Sequence, residues 1–289
     1  MNAPRLVGVG LLMLGSLACG VLNDVQDAVQ TVSRSVELLQ EIDESGTWRY
    51  IGDGLNALDT QPGGYALTIT LTEGTTNDTG DTLLEVTERI IWEASVDEQG
   101  DTRIRATRGD EVREYLSVQE GNQQRTYRIE GGNYICLSSG DGTTANEDEV
   151  LFAASVDEAF LTYSLLSAGV QVMSVAQADG TDTVSEVATE RFTLISKLPE
   201  AIEILADFPS EELRQSLEDI PEFYIAGSLH VAQQSRALMR LDSTYADLET
   251  KEGNQFAYLV NELGNQPDHT PPDPAQVTQP CQEAQQGQN

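Results

Sequence analysis

Three cysteines are the residues of this 289-residue chain whose chemistry follows most directly from their positions. Cys19 ends an apolar N-terminal run, Cys136 lies in the middle of the chain, and Cys281 lies in a Pro- and Gln-rich tail. An odd number of cysteines in an exported protein indicates a separate role for one of them. If Cys19 has that role, we expect a disulfide between the other two that clips the tail onto a central strand. The alternative is two unrelated thiols.

Residues 1–18 have the layout of a signal peptide. Arg5 supplies a positive charge, the stretch from Leu6 to Leu14 is apolar, and Ser16 and Ala18 are small residues before a cut at Cys19. The apolar stretch would make a helix of about 14 Å, too short for a hydrocarbon core of about 30 Å. The sequence therefore predicts export with removal of this segment.

The four residues that end at Cys19 resemble a bacterial lipobox, in which the cysteine becomes the acylated N-terminus of the mature protein. Lipoboxes usually carry Leu three residues before the cysteine and a small residue two before it, whereas this chain has Ser16 and Leu17 there. We expect lipidation at Cys19 and attachment to a membrane through acyl chains, since stable anchoring takes two or more chains. Ordinary secretion is the alternative.

The charge of the chain excludes several classes of partner. There are 48 Asp and Glu residues against 16 Lys and Arg, which gives a formal net charge of −32. Such a surface does not bind nucleic acid through phosphate contacts, and it is not attracted to anionic lipid. Membrane attachment is therefore expected from the acyl anchor alone. The acidic surface is interpreted as a solvated one, with cation binding or salt adaptation as the alternative.

No pattern of catalytic or metal-binding residues stands out. The chain has two histidines, His230 and His269, and no Cys/His spacing that suits zinc. It has no G-x-S-x-G, P-loop or G-x-G-x-x-G motif. Residues 138–149 are acidic, but their spacing does not match a calcium-binding EF-hand, so a solvated loop is favoured. We therefore predict no catalytic residue, no metal and no cofactor, and an enzyme acting on carbohydrate or peptide is the least favoured function.

The elements that would position any site begin with an amphipathic helix. Over residues 22–42, apolar residues recur at helical spacing, and residues 43–46 end the pattern. From Thr47 to Leu137 the apolar period changes to two, beginning at Trp48, Tyr50 and Ile51, with glycine-rich breaks about every ten residues. This pattern predicts an antiparallel meander of about seven strands with one apolar face.

The second half of the chain alternates helices and strands. The sequence predicts a buried helix over about 156–168, a strand over 184–195, one or two short helices over 199–219, and strands over 223–231, 237–248 and 256–260. From Asn265 onward, five prolines indicate a coil tail that packs little by itself. The element order favours an α+β fold, in which helices cover the apolar face of a long antiparallel sheet.

This order of elements resembles the bacterial lipoprotein-carrier fold of LolA-like and LppX-like proteins. Residues 184–195 are similar to the late strand of that family, and Tyr224 to Leu241 are similar to its closing hairpin. The resemblance covers roughly residues 22–262. It implies a sheet curved into an unclosed, or half, β-barrel with helices covering its concave face, and a cavity that holds acyl chains.

We accordingly expect three segments: a signal peptide of residues 1–18, a lipid-anchored half-barrel domain of residues 19–264, and a tail of residues 265–289. The expected function is binding or carriage of a lipid or lipoprotein acyl chain by an envelope-facing protein. A non-enzymatic interaction module with a filled core and an envelope protein partner is the alternative. A plain core is also the alternative for each residue expected to line the cavity: Tyr65, Leu67, Ile69, Leu84, Val86, Trp92, Phe160, Leu165, Leu166 and Met173.

Overall fold

The computed structural model describes residues 25–137, 174–207, 222–279 and 281. The helices are α1 (Val25–Ser45), α2 (Thr47–Asp59) and α3 (Leu198–Ala206), with one 3-10 turn at Pro274–Gln276. The strands are β1 (Tyr65–Thr76), β2 (Leu83–Val96), β3 (Thr102–Arg108), β4 (Glu111–Glu120), β5 (Gln123–Glu130), β6 (Asn133–Cys136), β7 (Ser174–Val184), β8 (Val187–Ser196), β9 (Phe223–Ala232), β10 (Leu238–Asp247), β11 (Glu252–Leu263) and β12 (Val277–Gln279).

The strands form a single sheet in the order β12-β6-β5-β4-β3-β2-β1-β11-β10-β9-β8-β7. Neighbouring strands are antiparallel except for β12, which pairs parallel with β6. The two end strands of the order, β12 and β7, are not paired with each other, so the sheet is open. The predicted α+β fold with an unclosed antiparallel sheet is therefore confirmed.

The helices pack on one half of the sheet. Helix α2 contacts β10 and β7, while α1 contacts β7, α2 and α3. The junction between α1 and α2 is fixed to β7, because the Thr47 hydroxyl donates to the carbonyl oxygen of Ser174 at 3.2 Å and Gly46 bridges to Val175. None of the helices among the described residues is long and apolar enough to cross a membrane.

Helix α2 corrects the prediction of a strand beginning at Trp48, Tyr50 and Ile51. Thr47, Ile51, Gly54 and Leu58 are its buried residues, and they follow the spacing of four, three and four that one helix face requires. Two interior glycines weaken the intrinsic preference for helix. Contacts with the sheet therefore decide its conformation.

Helix α1 confirms the predicted N-terminal helix but is rotated from its apolar stripe. Val32 and Val36 are 47% and 46% exposed, whereas Thr31 and Ser35 are buried. The Ser35 hydroxyl donates to the carbonyl oxygen of Thr31 at 2.8 Å, which satisfies a polar group that the rotation buries. An ion pair between Arg34 and Asp207, at 3.1 Å, joins α1 to the end of α3.

The sequence predicts no strand immediately before the one expected over 184–195, yet β7 occupies Ser174–Val184, and its exposed residues from Gln177 to Thr183 show no apolar alternation. The tail has no regular structure over residues 265–273 and is mostly exposed, as expected of a coil, but hydrogen bonds hold it along the sheet up to β12. The predicted helix over 156–168, the acidic segment 138–149 and Cys19 lie outside the described residues.

Candidate functional site

One face of the sheet carries an unbroken apolar row across seven neighbouring strands, from β3 to β8. Each member of the row is directly paired with the next, and all are buried. We call this face the floor. The members of the row, in order, are Ala106, Trp92, Ile69, Tyr258, Leu241, Leu229 and Phe192.

Helix α2 lies on the floor at extremely close range. A Cβ atom placed on Gly54 would be 2.7 Å from the Cβ and 2.8 Å from the backbone nitrogen of Leu238, so only glycine permits this approach. The ring of Tyr50 packs against Phe192, with centroids 4.7 Å apart. The close packing fixes α2 over the part of the floor formed by β8, β9 and β10, next to β7.

The floor is wider than one helix can cover. Seven strands spaced about 4.8 Å apart span roughly 29 Å, whereas a helix with its side chains is about 10 Å across. The contacts of α2 are mainly with β10 and β7, so the floor extends beyond this helix. The part of the floor formed by β1, β2 and β3 carries four of the ten residues expected to line a cavity.

The expected lining residues fall into three groups. Tyr65, Leu67, Ile69 and Trp92 are buried on the floor face. Leu84 and Val86 are 70% and 54% exposed. Phe160, Leu165, Leu166 and Met173 lie outside the described residues.

A β-bulge explains the position of Val86. Glu73 pairs with Glu88, but the next residue, Gly74, pairs with Val86, so one residue of β2 is left over. Such a bulge interrupts the alternation of side chains between the two faces. Val86 consequently lies on the face of Gly74, opposite to the face of Trp92, although the two positions are an even number of residues apart.

A cleft of about 380 Å³ opens at one end of the floor. We call it the end cleft. It lies between the end of α2, the start of β1, the β2–β3 turn and the strands β4 and β5. Its lining residues are Leu58, Asp59, Gln61, Tyr65, Val96, Asp97, Glu98, Gln99, Gly100, Thr102, Ser117 and Gln124.

The floor continues into the end cleft through the strand register. Leu67, Ala94, Ile104 and Tyr115 form one row of paired residues across β1 to β4. The next row on the same face lies two residues further along each strand and consists of Tyr65, Val96, Thr102 and Ser117. A two-residue step is about 7 Å, so the surface changes from apolar to hydroxyl-bearing within that distance.

The deep side of the end cleft holds a chain of polar contacts. The Gln124 amide donates to the Ser117 hydroxyl at 3.1 Å, and the Ser117 hydroxyl lies 3.2 Å from that of Thr126. On the other wall, the Thr102 hydroxyl donates to the carbonyl oxygen of Gly100 at 3.3 Å. These contacts orient amide and hydroxyl groups beside the buried row.

The Asp97 carboxylate fixes the β2–β3 turn. It is buried, and it accepts hydrogen bonds from the backbone N–H groups of Gln99 and Asp101, both at 2.9 Å, and from that of His269 at 2.7 Å. Three donors from two separate segments satisfy a carboxylate that would otherwise be costly to bury. Asp97 therefore acts as a structural group in the wall of the end cleft.

Residues 265–279, which we call the strap, hold both walls of the end cleft. The Gln266 backbone N–H donates to the carbonyl oxygen of Gly63 at 2.9 Å, next to the Gln61 wall. The His269 ring nitrogen Nε2 lies 2.9 Å from the Ser95 hydroxyl, next to the β2–β3 wall. His269, which the sequence placed in a coil, is thus part of the support of the cleft.

The far end of the strap covers a second, smaller core on the opposite side of the sheet from the floor. Leu116, Val118, Tyr127 and Cys136 are its buried members, and Val277 packs against them. Cys281 is joined to Cys136 by the predicted disulfide, with a sequence separation of 145 and a Cα–Cα distance of 5.0 Å. The disulfide therefore ties the end of the strap to β6, next to the edge strand β12.

His230 lies on the face of the sheet opposite to the floor. It pairs with Arg240 and Arg191 on neighbouring strands, and its Nδ1 is 4.0 Å from the carboxylate of Asp182. Burial lowers the pKa of His230 below its usual 6.5, and Arg240 and Arg191 act in the same direction, against Asp182 and Asp242. The histidine is a buried neutral group away from the end cleft.

No cluster of three or more His, Cys, Asp or Glu side chains suited to a metal ion occurs within the described ranges. Sequence reasoning did not find the end cleft. Its residues come from α2, β1–β5 and two turns, so their proximity depends on the strand register. The register of the β1–β2 hairpin, which pairs Tyr65 with Val96, is the feature that could have indicated the position of the cleft.

No protein-family model and no curated protein matches the sequence. Among solved structures, the chain is similar to the lipoprotein LppX of Mycobacterium tuberculosis, with a TM-score of 0.34, 14% identity, and coverage of 77% of this chain and 97% of that one. It is also similar to LprF of Mycobacterium bovis, with a TM-score of 0.36, 12% identity, and coverage of 79% and 96%.

A third similar structure is a putative outer membrane lipoprotein-sorting protein domain from Vibrio parahaemolyticus, with a TM-score of 0.25, 6% identity, and coverage of 75% and 92%. LppX is among these similar structures, as the resemblance of the sequence to LolA-like and LppX-like proteins predicts. At these identities and TM-scores, the ligands and partners of those proteins are not transferred to this chain.

Proposed function

We propose that this protein is an exported, membrane-anchored lipoprotein that binds a lipid or acyl chain on the floor. The observation that supports the proposal is the apolar row across seven strands, which extends beyond the contacts of helix α2 with β10 and β7. The strands β1 and β2 contribute Leu67, Ile69 and Trp92 to the binding surface, together with the expected contribution of Phe160, Leu165, Leu166 and Met173.

The energetics of such binding are those of hydrocarbon leaving water. Burial of a methylene group contributes about 0.8 kcal/mol, so about 12 methylenes would contribute roughly 10 kcal/mol before the cost of association is subtracted. No charged group is needed for this, which fits a chain in which acidic residues greatly outnumber basic ones. Binding is expected to be non-covalent. Its heat-capacity change should be negative, because apolar surface is buried.

The first experiment is native mass spectrometry on the mature domain from Gly20 to Asn289, purified from a host that contains membranes, followed by lipid extraction. We expect one stoichiometric lipid per chain, and uptake of a fluorescent fatty acid after delipidation. A clean ligand-free mass with no uptake would refute the proposal.

A matched pair of substitutions tests whether the floor is the binding surface. Ala94 is buried on the floor between Leu67 and Ile104, and Ala257 lies on the opposite face between Thr70 and Asp242. Ala94→Trp is expected to lower fatty-acid uptake by about tenfold or more, whereas Ala257→Trp leaves it unchanged. Because overpacking costs about 1–3 kcal/mol, Ala94→Leu provides a milder change, and thermal melting verifies that each variant is folded.

The anchor is tested separately from the ligand. Cys19→Ser is expected to abolish incorporation of radiolabelled palmitate and to release the protein from the membrane fraction. Cys281→Ser removes a different cysteine and is expected to leave the palmitate label in place. Retention of the label in Cys19→Ser would contradict the proposed lipidation site.

An interaction module with a filled core is the second candidate. It is favoured by the burial of the floor itself, since Ile69, Trp92 and Tyr258 are at most 1% exposed. In that case the protein takes up no fatty acid, and Ala94→Trp affects stability alone. The uptake measurement therefore separates the two functions.

A further inference from the structure

We propose that the end cleft binds an uncharged, hydroxyl-rich group such as a hexose. The chemistry of this group follows from the cleft residues themselves. Its attachment to an acyl chain, as the headgroup of a lipid, rests on the proposed function.

The lining of the end cleft combines hydrogen-bond donors with acceptors. Gln61, Gln99 and Gln124 each carry an amide that offers both, and Tyr65, Thr102 and Ser117 each carry a hydroxyl that does the same. A sugar presents several hydroxyl groups that also donate and accept. An amide and hydroxyl lining therefore matches a polyhydroxylated group better than it matches a bare charge.

The charges around the end cleft exclude an anionic headgroup. No Lys or Arg is among its lining residues, whereas Asp59 and Glu98 are exposed carboxylates at its rim. A phosphate in the cleft would face these like charges without a cationic partner. The third carboxylate, Asp97, is occupied by three backbone N–H groups and does not compete for the ligand.

The end cleft has the size and position of a headgroup subsite. Its volume of about 380 Å³ lies at the lower end of the range of small-molecule sites, about 300–1,000 Å³. Tyr65 and Val96 line it and belong to the hydrophobic core that includes the floor. A ligand with its chain on the floor would therefore place its polar end in the cleft without crossing another element of the sheet.

The strap makes the end cleft a preformed site. It binds the turn next to Gln61 through Gly63, and it binds the β2–β3 turn through Asp97 and Ser95. Walls that are held in place before binding lose less conformational freedom when the ligand arrives. This arrangement supports selective binding by neutral hydrogen bonds, which are individually weak.

The test compares two diacylglycerol lipids with identical acyl chains, one with a glucosyl headgroup and one with a phosphate headgroup. Binding to the full mature protein is measured by native mass spectrometry, and methyl glucoside, which has no acyl chain, is examined by saturation-transfer NMR. Gln124→Leu removes a cleft amide. Gln123→Leu is the matched control, because Gln123 is the adjacent residue of β5 and does not line the cleft.

We expect the wild-type protein to prefer the glucosyl lipid by about tenfold or more. Loss of one amide should weaken that binding about three- to tenfold in Gln124→Leu and leave it unchanged in Gln123→Leu. Gln61→Leu, on the opposite wall, is expected to behave like Gln124→Leu, and thermal melting controls for folding.

The remaining outcomes separate this inference from the proposed function. Equal binding of both lipids, unaffected by Gln124→Leu, overturns the headgroup subsite and leaves lipid binding on the floor intact. Methyl glucoside binding that depends on Gln124, without uptake of any lipid, supports the sugar subsite and overturns the proposed function. If neither the lipids nor methyl glucoside bind, both the headgroup subsite and the proposed function are overturned.

Discussion

The contact of helix α2 with Leu238 predicts that two glycine-to-alanine substitutions, two residues apart, have opposite effects on stability. At Gly52, an added Cβ meets nothing within 4 Å. Alanine is favoured over glycine in a helix by about 1 kcal/mol, so Gly52→Ala should stabilise the protein by up to that amount. For a chain of this size, this corresponds to an increase of the melting temperature of about 2–4 °C.

At Gly54, the same substitution places a methyl group against backbone atoms. The added Cβ would be 2.7 Å from the Cβ of Leu238 and 2.8 Å from its backbone nitrogen, distances at which something must shift. Overpacking of this kind costs about 1–3 kcal/mol or more and exceeds the propensity gain at the upper end of that range. We therefore expect Gly54→Ala to be less stable than Gly52→Ala by about 1–3 kcal/mol, and less stable than the wild type.

Urea denaturation of the wild type and both variants, monitored by tryptophan fluorescence, measures these differences. A stability of Gly54→Ala equal to or greater than that of Gly52→Ala would refute the close packing of α2 on β10. If the floor binds an acyl chain, Gly54→Ala should also alter fatty-acid uptake because the helix must move away from Leu238. Gly52→Ala should leave uptake unchanged.

Three further predictions concern the disulfide, the buried histidine and the sheet surface. The double substitution Cys136→Ser/Cys281→Ser should lower the free energy of unfolding by up to about 5 kcal/mol, because the disulfide closes a loop with a sequence separation of 145. Urea denaturation of this variant and the wild type measures the difference. A loss below about 1 kcal/mol would contradict the expected effect of loop entropy. The pKa of His230 is lower in the folded protein than in the unfolded chain, so the unfolded chain binds more protons and the free energy of unfolding should fall as the pH drops through about 6.5. His230→Gln should reduce the difference between the free energies of unfolding measured at pH 8 and pH 5.5. An unchanged difference would disprove the role of His230 in this pH dependence. Leu84→Ser should change the melting temperature by less than about 2 °C, since Leu84 is exposed and surface changes are usually within about 0.5 kcal/mol; a larger decrease would show that this side chain is covered.

The strands with regular alternation could be predicted from the sequence. In β1, residues Tyr65, Leu67, Ile69 and Leu71 are all buried, as a period of two requires. The pattern is local and strong, because each strand must present one face to the core. The order of elements then limited the fold to helices packed on a long antiparallel sheet.

The elements that were missed depend on contacts between distant segments. Helix α2 contains Gly52 and Gly54 and aromatic residues that favour strands, yet the second glycine is what lets the helix approach Leu238. Strand β7 has a polar sequence because it is the last strand of the sheet order and pairs only with β8 among the described strands. Local composition carries neither piece of information.

The candidate site was predictable in part for a similar reason. Tyr65, Leu67, Ile69 and Trp92 were identified as inward-facing residues from alternation alone. The exposure of Val86 follows from the bulge at Gly74, which a count of residues cannot reveal. The end cleft requires the register of β1 to β5 and the path of the strap, both of which are set by long-range hydrogen bonds.

The strand order has a consequence for assembly of the sheet. From β1 to β6 and from β7 to β11, every neighbour in the sheet is also the neighbour in sequence, so each group can form as a local meander. The groups are joined by the pairing of β1 with β11, in which Tyr65 lies opposite Leu263. Until β11 has been synthesised, the edge of β1 that pairs with it has no partner. A fragment that contains either meander alone would therefore expose a long unpaired strand and be prone to edge-to-edge aggregation, whereas the two fragments mixed together would be expected to complement each other.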